Sequence, residues 1–436
     1  MNGLKTNNAP HISVITPHFI FGAISLLILA VLLILADENL LQAYFNTKLI
    51  AITHIAVLGW ASMIVFGALY QLIPVVFETA LYSEKLAKVT FWFSAFSVLF
   101  LSYSFWVGSY VSLLPYASVC MFLSLLLFVV NVGLTYRNAT LKNVKSTFVI
   151  TSVFWLLITE LIGTVIALNF KFNFLTEIHL HYLKIHASIG LIGWFVLLII
   201  GVGSTLIPMF LISHELKEKK LNYAYYLING GLLIAVVNWF LIQKSEIDYL
   251  IPLLIIGGVL FFISFIYDSY KKRLRKKLDV GMQYSMLAIA AIFMPFIIIG
   301  FIVLSTSFEV DFMFRIITFY GFSIIFGLIT TLILGQTYKT LPFIIWLDKY
   351  KKLIGKTKTP LPRELYSEKI ANIQIIIYFV FIAAFVIGLL FNQLVFIKIG
   401  SYALLVVAFL YNVNIFKMIT HKVKFKENDE TGNHRI

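Results

Sequence analysis

Twelve long apolar stretches dominate this 436-residue chain, and each is long enough to cross a lipid bilayer as a helix. Hydrophobic residues make up 60% of the sequence and charged residues only 12%, which excludes a soluble protein of this size. The pattern predicts an all-α integral membrane protein with a single membrane domain over residues 1–436. The predicted spans are 17–36, 48–74, 90–111, 116–135, 147–169, 183–212, 222–243, 250–270, 283–306, 313–345, 369–392 and 397–419.

The basic residues are distributed unevenly among the predicted loops. If both termini lie in the cytoplasm, the inner segments carry 28 of the 34 lysines and arginines, including the run from Lys271 to Lys277. This distribution predicts a multi-pass protein of the cytoplasmic (inner) membrane, with both termini and a polar tail at 421–436 inside. The net charge of +14 fits contact with anionic lipid headgroups, and no basic aromatic motif points to nucleic-acid binding.

A motif occurs three times along the chain at a constant spacing. In the second span it consists of Gly59, Gly67 and Pro74, and the same residue types return 134 and 268 positions later. Tryptophan follows the first glycine in two of the three copies. Internal repeats indicate repeated structural units, and small residues let membrane helices approach closely. The motif therefore predicts three four-helix arcs around a pseudo-threefold axis. The predicted units are approximately residues 1–145, 146–279 and 280–420.

The second span also carries a resemblance to a known family. It reads THIAVLGWASMIVFGALYQLIPVV from Thr53 to Val76. This stretch resembles the second helix of subunit I of the heme–copper oxidases, a family that includes the nitric oxide reductases. The predicted arrangement of twelve helices in three arcs of four resembles that family as well. The resemblance implies that His54 matches the histidine that binds the low-spin heme. It further implies a b-type heme and a role in respiratory electron transfer or gas sensing, with an electron donor or other respiratory subunits as partners.

Other positions depart from the pattern of that family. The tenth span, from Phe312 to Trp346, contains no histidine, whereas the family has a His-x-His pair there that binds both hemes. The seventh span, 222–243, lacks the two adjacent histidines that bind copper, and Gly190 stands where a tyrosine often follows the copper ligand, here His186. These departures predict a divergent member without an oxygen-reducing centre, so copper is not expected.

Two histidines are the candidate cofactor ligands. His54 lies one to two turns inside an apolar helix, where an unpaired polar group costs several kcal/mol or so. His186 lies at a similar depth in the sixth span, and in the register of the repeat it matches Ile52 rather than His54. Because equivalent helices of a threefold ring line a shared pore with different faces, His54 and His186 are predicted to face each other and to share one heme. Separate hydrogen-bonding roles are the alternative.

Weaker candidates lie nearby. In the segment EIHLHYLKIH, His179 and His181 stand at the outer start of the sixth span and could bind a divalent metal, although a polar helix start is the commoner role of such residues. Glu160 lies in the middle of the fifth span, and buried carboxylates in bilayers often mark proton or ion paths. The single cysteine, Cys120, excludes an intrachain disulfide and a Cys-x-x-Cys-His heme attachment, so any heme is noncovalent.

Three functions remain open at this point. The first is a heme-binding membrane protein that transfers electrons or senses a gas. The second is a cofactor-free scaffold subunit of a membrane complex, in which the histidines only form hydrogen bonds. The third is a twelve-helix transporter, although carriers of that size are commonly built from two halves rather than from three repeats.

Overall fold

The computed structural model describes residues 8–304 and 309–423, without the side chains of residues 303 and 304. Within these ranges twelve helices are long and apolar enough to cross a membrane, which confirms the predicted fold class, and no strand is present. The end of the predicted span 283–306 and most of the predicted tail, 424–436, lie outside the described residues. The helices are α1 (Ile12–Leu41), α2 (Thr47–Val76), α3 (Glu84–Trp106), α4 (Leu114–Arg137), α5 (Val144–Phe172), α6 (His179–Leu211), α7 (Lys219–Ile242), α8 (Ser245–Lys271), α9 (Val280–Ile302), α10 (Val310–Leu353), α11 (Glu368–Phe391) and α12 (Leu394–Ile419).

Polar caps fix where several helices begin. At the starts of five helices a side chain accepts a hydrogen bond from the backbone N–H three residues later, which satisfies one of the N–H groups that the first turn leaves unpaired. The capping residues of α2, α3, α5, α9 and α11 are Asn46, Ser83, Asn143, Asp279 and Ser367. Between the caps, helical hydrogen bonds pair the backbone internally, as a hydrocarbon environment requires.

Helices α2, α6 and α10 form the centre of the protein. Between 56% and 67% of the residues in their apolar segments are buried, against 50% or less in the other helices. Each contains an eight-residue π-helical segment, and these are Ile55–Ser62, Ile189–Val196 and Ser323–Thr330. The three segments begin at equivalent positions of the repeat, so they share the spacing of the sequence motif. Widened helical turns of this kind are rare and concentrate at functional sites.

Two hydrogen bonds join these three helices, each from a tryptophan of one helix to a hydroxyl group of another. The indole N–H of Trp60 in α2 donates to the hydroxyl of Thr330 in α10 at 3.1 Å, and that of Trp194 in α6 donates to Ser62 in α2 at 3.2 Å. Trp60 and Trp194 are one repeat apart, and Ser62 and Thr330 are two repeats apart. In the third pair of equivalent positions, Leu328 of α10 replaces the tryptophan and Val196 of α6 replaces the hydroxyl residue. Both are buried in one hydrophobic cluster. The contacts thus fall at equivalent positions of the repeat, and the pseudo-threefold axis stays a prediction.

The second glycine of the motif brings the first two helices of each unit together. A Cβ added there would lie 2.6–2.8 Å from the Cβ of a residue in the first helix, closer than real Cβ atoms approach. The pairs are Gly67 with His18, Gly201 with Phe148, and Gly335 with Tyr284. The partners in the first helices do not keep the spacing of the motif, since they precede the glycine by 49, 53 and 51 residues.

Neighbouring helices in the chain pack against each other in pairs. In each unit the first helix packs on the second and the third packs on the fourth, while α4 packs on α5 and α12 packs on α1. The division into three four-helix units stays a prediction, because α4 packs on α5 as closely as the helices within a unit pack on each other. Asparagines also join neighbouring helices, as in the bond from the indole of Trp155 in α5 to Asn229 in α7 at 3.0 Å.

Candidate functional site

A cavity of about 570 Å³ lies between α2, α5, α6 and α10. Leucine, isoleucine, phenylalanine and alanine side chains form most of its walls, as is common for sites that hold a small molecule or cofactor. Three sequence-predicted residues line it together: the candidate ligands His54 and His186, and the carboxylic acid Glu160. The predicted candidates therefore belong to one space, although they come from three different helices.

His54 is held in place by its own helix and by α3. It lies seven residues after the start of α2, directly before the π-helical segment. Its Nδ1 is 2.8 Å from the carbonyl oxygen of Ile50, one turn earlier, and its ring stacks on Phe105 with the ring centroids 4.7 Å apart. Because a carbonyl only accepts, Nδ1 carries the proton, and Nε2 is the nitrogen that can bind a metal in the neutral ring.

His186 is held by the neighbouring helix α5. It also lies seven residues after the start of its helix, so it reaches the same depth as His54, about 10 Å from the helix end at 1.5 Å per residue. Its Nδ1 donates to the carbonyl oxygen of Thr159 at 2.9 Å. The ring packs against Gly163, where an added Cβ would lie 2.7 Å from Cε1. Only glycine leaves room for the imidazole at that point of α5.

The two imidazoles form a pair across the cavity. Their centroids are 6.4 Å apart and their planes differ by 20°. An imidazole nitrogen lies about 1.1 Å from its ring centre and binds a metal at about 2.0–2.1 Å, so one metal ion in line between two Nε2 atoms would separate the ring centres by roughly 6.3 Å. The centroid distance of 6.4 Å agrees with that length. The structure brings together the pair that the sequence predicts.

Glu160 contributes a buried carboxyl group to the same cavity. The residue is 7% exposed, and within the described residues no hydrogen bond or ion pair reaches its carboxylate. It lies one residue after Thr159, whose carbonyl holds His186. A buried carboxyl group without a partner is costly in a bilayer and usually has a function. The role of Glu160 as a proton or ion site stays a prediction.

His179 and His181 turn to different neighbours. His179 Nε2 lies 3.1 Å from the side-chain amide of Asn169, and its ring stacks on Phe170 at 4.2 Å. His181 Nε2 lies 3.1 Å from the backbone carbonyl of Trp239 in α7. Among the described residues there is no group of three or more histidine, cysteine, aspartate or glutamate side chains placed to hold a metal. The metal site at these two histidines stays a prediction.

Sequence reasoning missed the residues that position the two imidazoles. Phe105 of α3 stacks on His54, the main-chain carbonyl of Thr159 in α5 accepts a hydrogen bond from His186, and Gly163 of α5 leaves room for the His186 ring. No local sequence pattern predicts these contacts. The one sequence feature that could have indicated Gly163 is its place in LITELIGT, one helical turn after Glu160.

Comparison with known proteins leaves the resemblance in α2 without a family assignment. No protein-family model matches the chain, and no curated protein matches it either. The resemblance to the heme–copper oxidases therefore remains a prediction, and the case for a cofactor rests on the cavity, the two imidazoles and their hydrogen bonds.

Proposed function

We propose that this membrane protein binds a noncovalent b-type heme between His54 and His186 and uses it for electron transfer within the bilayer. The observation that supports this proposal is the 6.4 Å separation of the two imidazole rings inside one apolar cavity. Each ring is already fixed through Nδ1, which leaves Nε2 as the metal-binding atom.

The residues around the two imidazoles have the chemistry that a heme site requires. The carbonyls of Ile50 and Thr159 would fix the ring tautomers and orientations, a role that outer-shell hydrogen bonds play for most metal-binding histidines. The apolar walls would exclude water and so set the redox potential, while Phe105 would keep the His54 ring from rotating. When bound, the heme supplies a one-electron couple, and the chain supplies the binding, orientation and dielectric environment.

The proposed role stops short of gas reduction. An oxygen-reducing centre of the resembled type needs three copper-binding histidines and a proximal heme histidine, and α7 and α10 contain no histidine at all. If His54 and His186 both held the heme iron, they would leave it no open position for a gas. Electron transfer to or from other respiratory subunits is therefore the role that we favour over gas sensing.

A spectrum of the purified protein tests the proposal. Protein expressed with heme available should show a Soret band and a six-coordinate, low-spin b-type spectrum. His54→Ala and His186→Ala should each abolish the low-spin signature, because both axial ligands are required, while a five-coordinate, high-spin species can remain in one variant. His181→Ala is the matched control, since this histidine of α6 bonds to Trp239 instead and should leave the spectrum unchanged.

Absence of a Soret band in the wild-type protein would refute heme binding. A scaffold role would then account for the two histidines, and His186→Leu should be tolerated nearly as well as His186→Gln.

A further inference from the structure

A second, smaller pocket lies between the end of α1 and the start of α12, with a volume of about 110 Å³. Both helix ends lie on the membrane side opposite the loop 271–277, because an odd number of spans separates each of them from that loop. The pocket shares one apolar residue with the cavity of the candidate site and none of that cavity's polar residues. Its lining consists of Leu33, Ile34 and Asp37 of α1 and Ile397, Lys398, Ser401 and Tyr402 of α12.

Two opposite charges line this pocket at the level of the lipid headgroups. The Nζ atom of Lys398 lies 3.1 Å from Oδ2 of Asp37, and the two side chains are 51% and 32% exposed. Helix α12 has 26 residues and is therefore about 39 Å long, which exceeds the roughly 30 Å of hydrocarbon in a bilayer. Because Lys398 lies one turn from the start of α12, the ion pair is at the border between headgroups and hydrocarbon.

The ion pair leaves hydrogen-bonding capacity unused. Oδ1 of Asp37 is buried and has no hydrogen-bond partner among the described residues. Lys398 carries three N–H groups, and within the described part of the chain its ammonium pairs with Asp37 alone. Buried polar atoms are normally paired in folded proteins. The pocket therefore offers an open acceptor to a cation and, beside it, open donors to an anion.

The backbone at Asp37 is strained. The α-helical turns of α1 end at Ala36, and Asp37 has φ 39° and ψ −105° before a 3₁₀-helix continues to Leu41. Residues other than glycine rarely adopt a positive φ, and those in unusual conformations are concentrated at binding and active sites. The strain is thus a second indication, independent of the open carboxylate oxygen, that Asp37 takes part in a site.

An exposed apolar stripe leads away from the pocket along α12. Its residues follow one another at intervals of four and three, so they share one face of the helix, and the first of them, Tyr402, also lines the pocket. The stripe covers 14 residues, or about 21 Å, and so runs past the middle of the bilayer. Its members are Tyr402, Val406, Phe409, Val413 and Phe416, and between 37% and 61% of each side chain is exposed.

We propose that this pocket binds the headgroup of phosphatidylethanolamine from the leaflet on that side of the membrane. The primary ammonium of the headgroup donates to Oδ1 of Asp37, the phosphate accepts from Lys398, and an acyl chain lies along the stripe of α12. The ligand thus supplies one charge of each sign where the pocket has the opposite one. This lipid site goes beyond heme binding and does not require it.

The chemistry of the pocket favours this headgroup over other common ones. A choline headgroup has no N–H group and cannot pair Oδ1 of Asp37. A glycerol headgroup brings the negative phosphate without a cation, so the Asp37 carboxylate keeps an open oxygen next to a like charge. A soluble compound with the same two charges lacks the chains for which the stripe continues from Tyr402.

Native mass spectrometry of the full-length protein in detergent tests the site by resolving the binding of single lipids. The probes are phosphatidylethanolamine and phosphatidylcholine with identical acyl chains. The parent protein should bind its first phosphatidylethanolamine about tenfold more tightly, since one hydrogen bond to a charged group accounts for at least that factor.

Two variants separate the ammonium from the phosphate. Asp37→Asn should remove the preference for phosphatidylethanolamine, because the charge that holds the ammonium is gone, and its affinity for phosphatidylcholine should not fall. That second affinity also shows that the variant is folded at this position. Lys398→Gln should instead weaken both lipids, because they share the phosphate.

A second ion pair on the same membrane side supplies the matched control. Lys184 and Asp248 are 3.5 Å apart with side chains 50% and 42% exposed. Oδ1 of Asp248 already accepts hydrogen bonds from Asn238 and Trp239, so this pair has no open oxygen. Asp248→Asn should therefore keep the lipid preference of the parent.

Three results would overturn the site. They are equal affinity of the parent for the two lipids, an unchanged preference in Asp37→Asn, and an equal loss of preference in Asp248→Asn. Competition by soluble glycerophosphoethanolamine at the same concentration as the lipid would assign the pocket to a free headgroup compound and refute the lipid as its ligand. The protein is prepared without heme, so a missing Soret band would leave these results unaffected.

Discussion

Replacing Gly163 by alanine should displace His186 and so test how the candidate site is built. The new Cβ would lie 2.7 Å from Cε1 and 3.1 Å from Nδ1 of the imidazole, whereas carbon atoms in contact prefer about 3.5–4.0 Å. The ring must therefore move by about 1 Å, which breaks its 2.9 Å hydrogen bond to Thr159. Losing that bond costs about 1 kcal/mol, overpacking costs about 1–3 kcal/mol, and the better helix propensity of alanine returns about 0.5–1 kcal/mol.

The expected net loss is thus about 1–3.5 kcal/mol in the free energy of unfolding, measured by denaturant titration in detergent. In heme-loaded protein the same variant should convert low-spin to high-spin heme, because His186 no longer reaches the iron. Gly133→Ala in α4 is the control, since no atom lies within 4 Å of its added Cβ. If both alanine variants have the same stability and the same spectrum, His186 is not seated against Gly163 and the description of the site is wrong.

Three further predictions concern chemistry, topology and the central hydrogen bonds. The purified protein should reduce neither dioxygen nor nitric oxide, and gas-electrode traces showing turnover by the isolated subunit would contradict the missing-ligand argument. His179→Cys and Lys277→Cys, each in a Cys120→Ala background, should be labelled from opposite membrane sides, because three spans separate the two positions. Labelling of position 277 by an impermeant reagent from outside would reverse the predicted topology. A double-mutant cycle with Trp60→Phe and Thr330→Ala should give a coupling of about 0.6 kcal/mol in the free energy of unfolding, typical of hydrogen bonds between membrane helices. Additive effects of the two substitutions would show that this bond contributes nothing to stability.

The sequence by itself determined the twelve spans, and it predicts their grouping into three units. Hydrophobic length is a local property, because each span must satisfy its backbone internally and needs about 20 apolar residues wherever it lies in the fold. The repeat is also readable without coordinates, since a glycine is required wherever two helix backbones approach closely, as Gly67 does against α1. The π-helical segments that share the spacing of the motif carry no such signal, because they are apolar on nearly all sides and a change in helical phase leaves no trace in the sequence.

Only the tertiary structure decided which side chains share the cavity. His54 and His186 are not equivalent positions of the repeat, because strict register would pair His54 with Ser188 and His186 with Ile52. A shift of two residues turns a side chain by about 200° on a helix, so whether two such residues meet depends on how each helix is rotated about its axis. That rotation is set by packing partners far away in the sequence, such as Trp60 with Thr330 and Trp194 with Ser62. The distance between the two imidazoles is therefore a property of the assembled helices and not of either span.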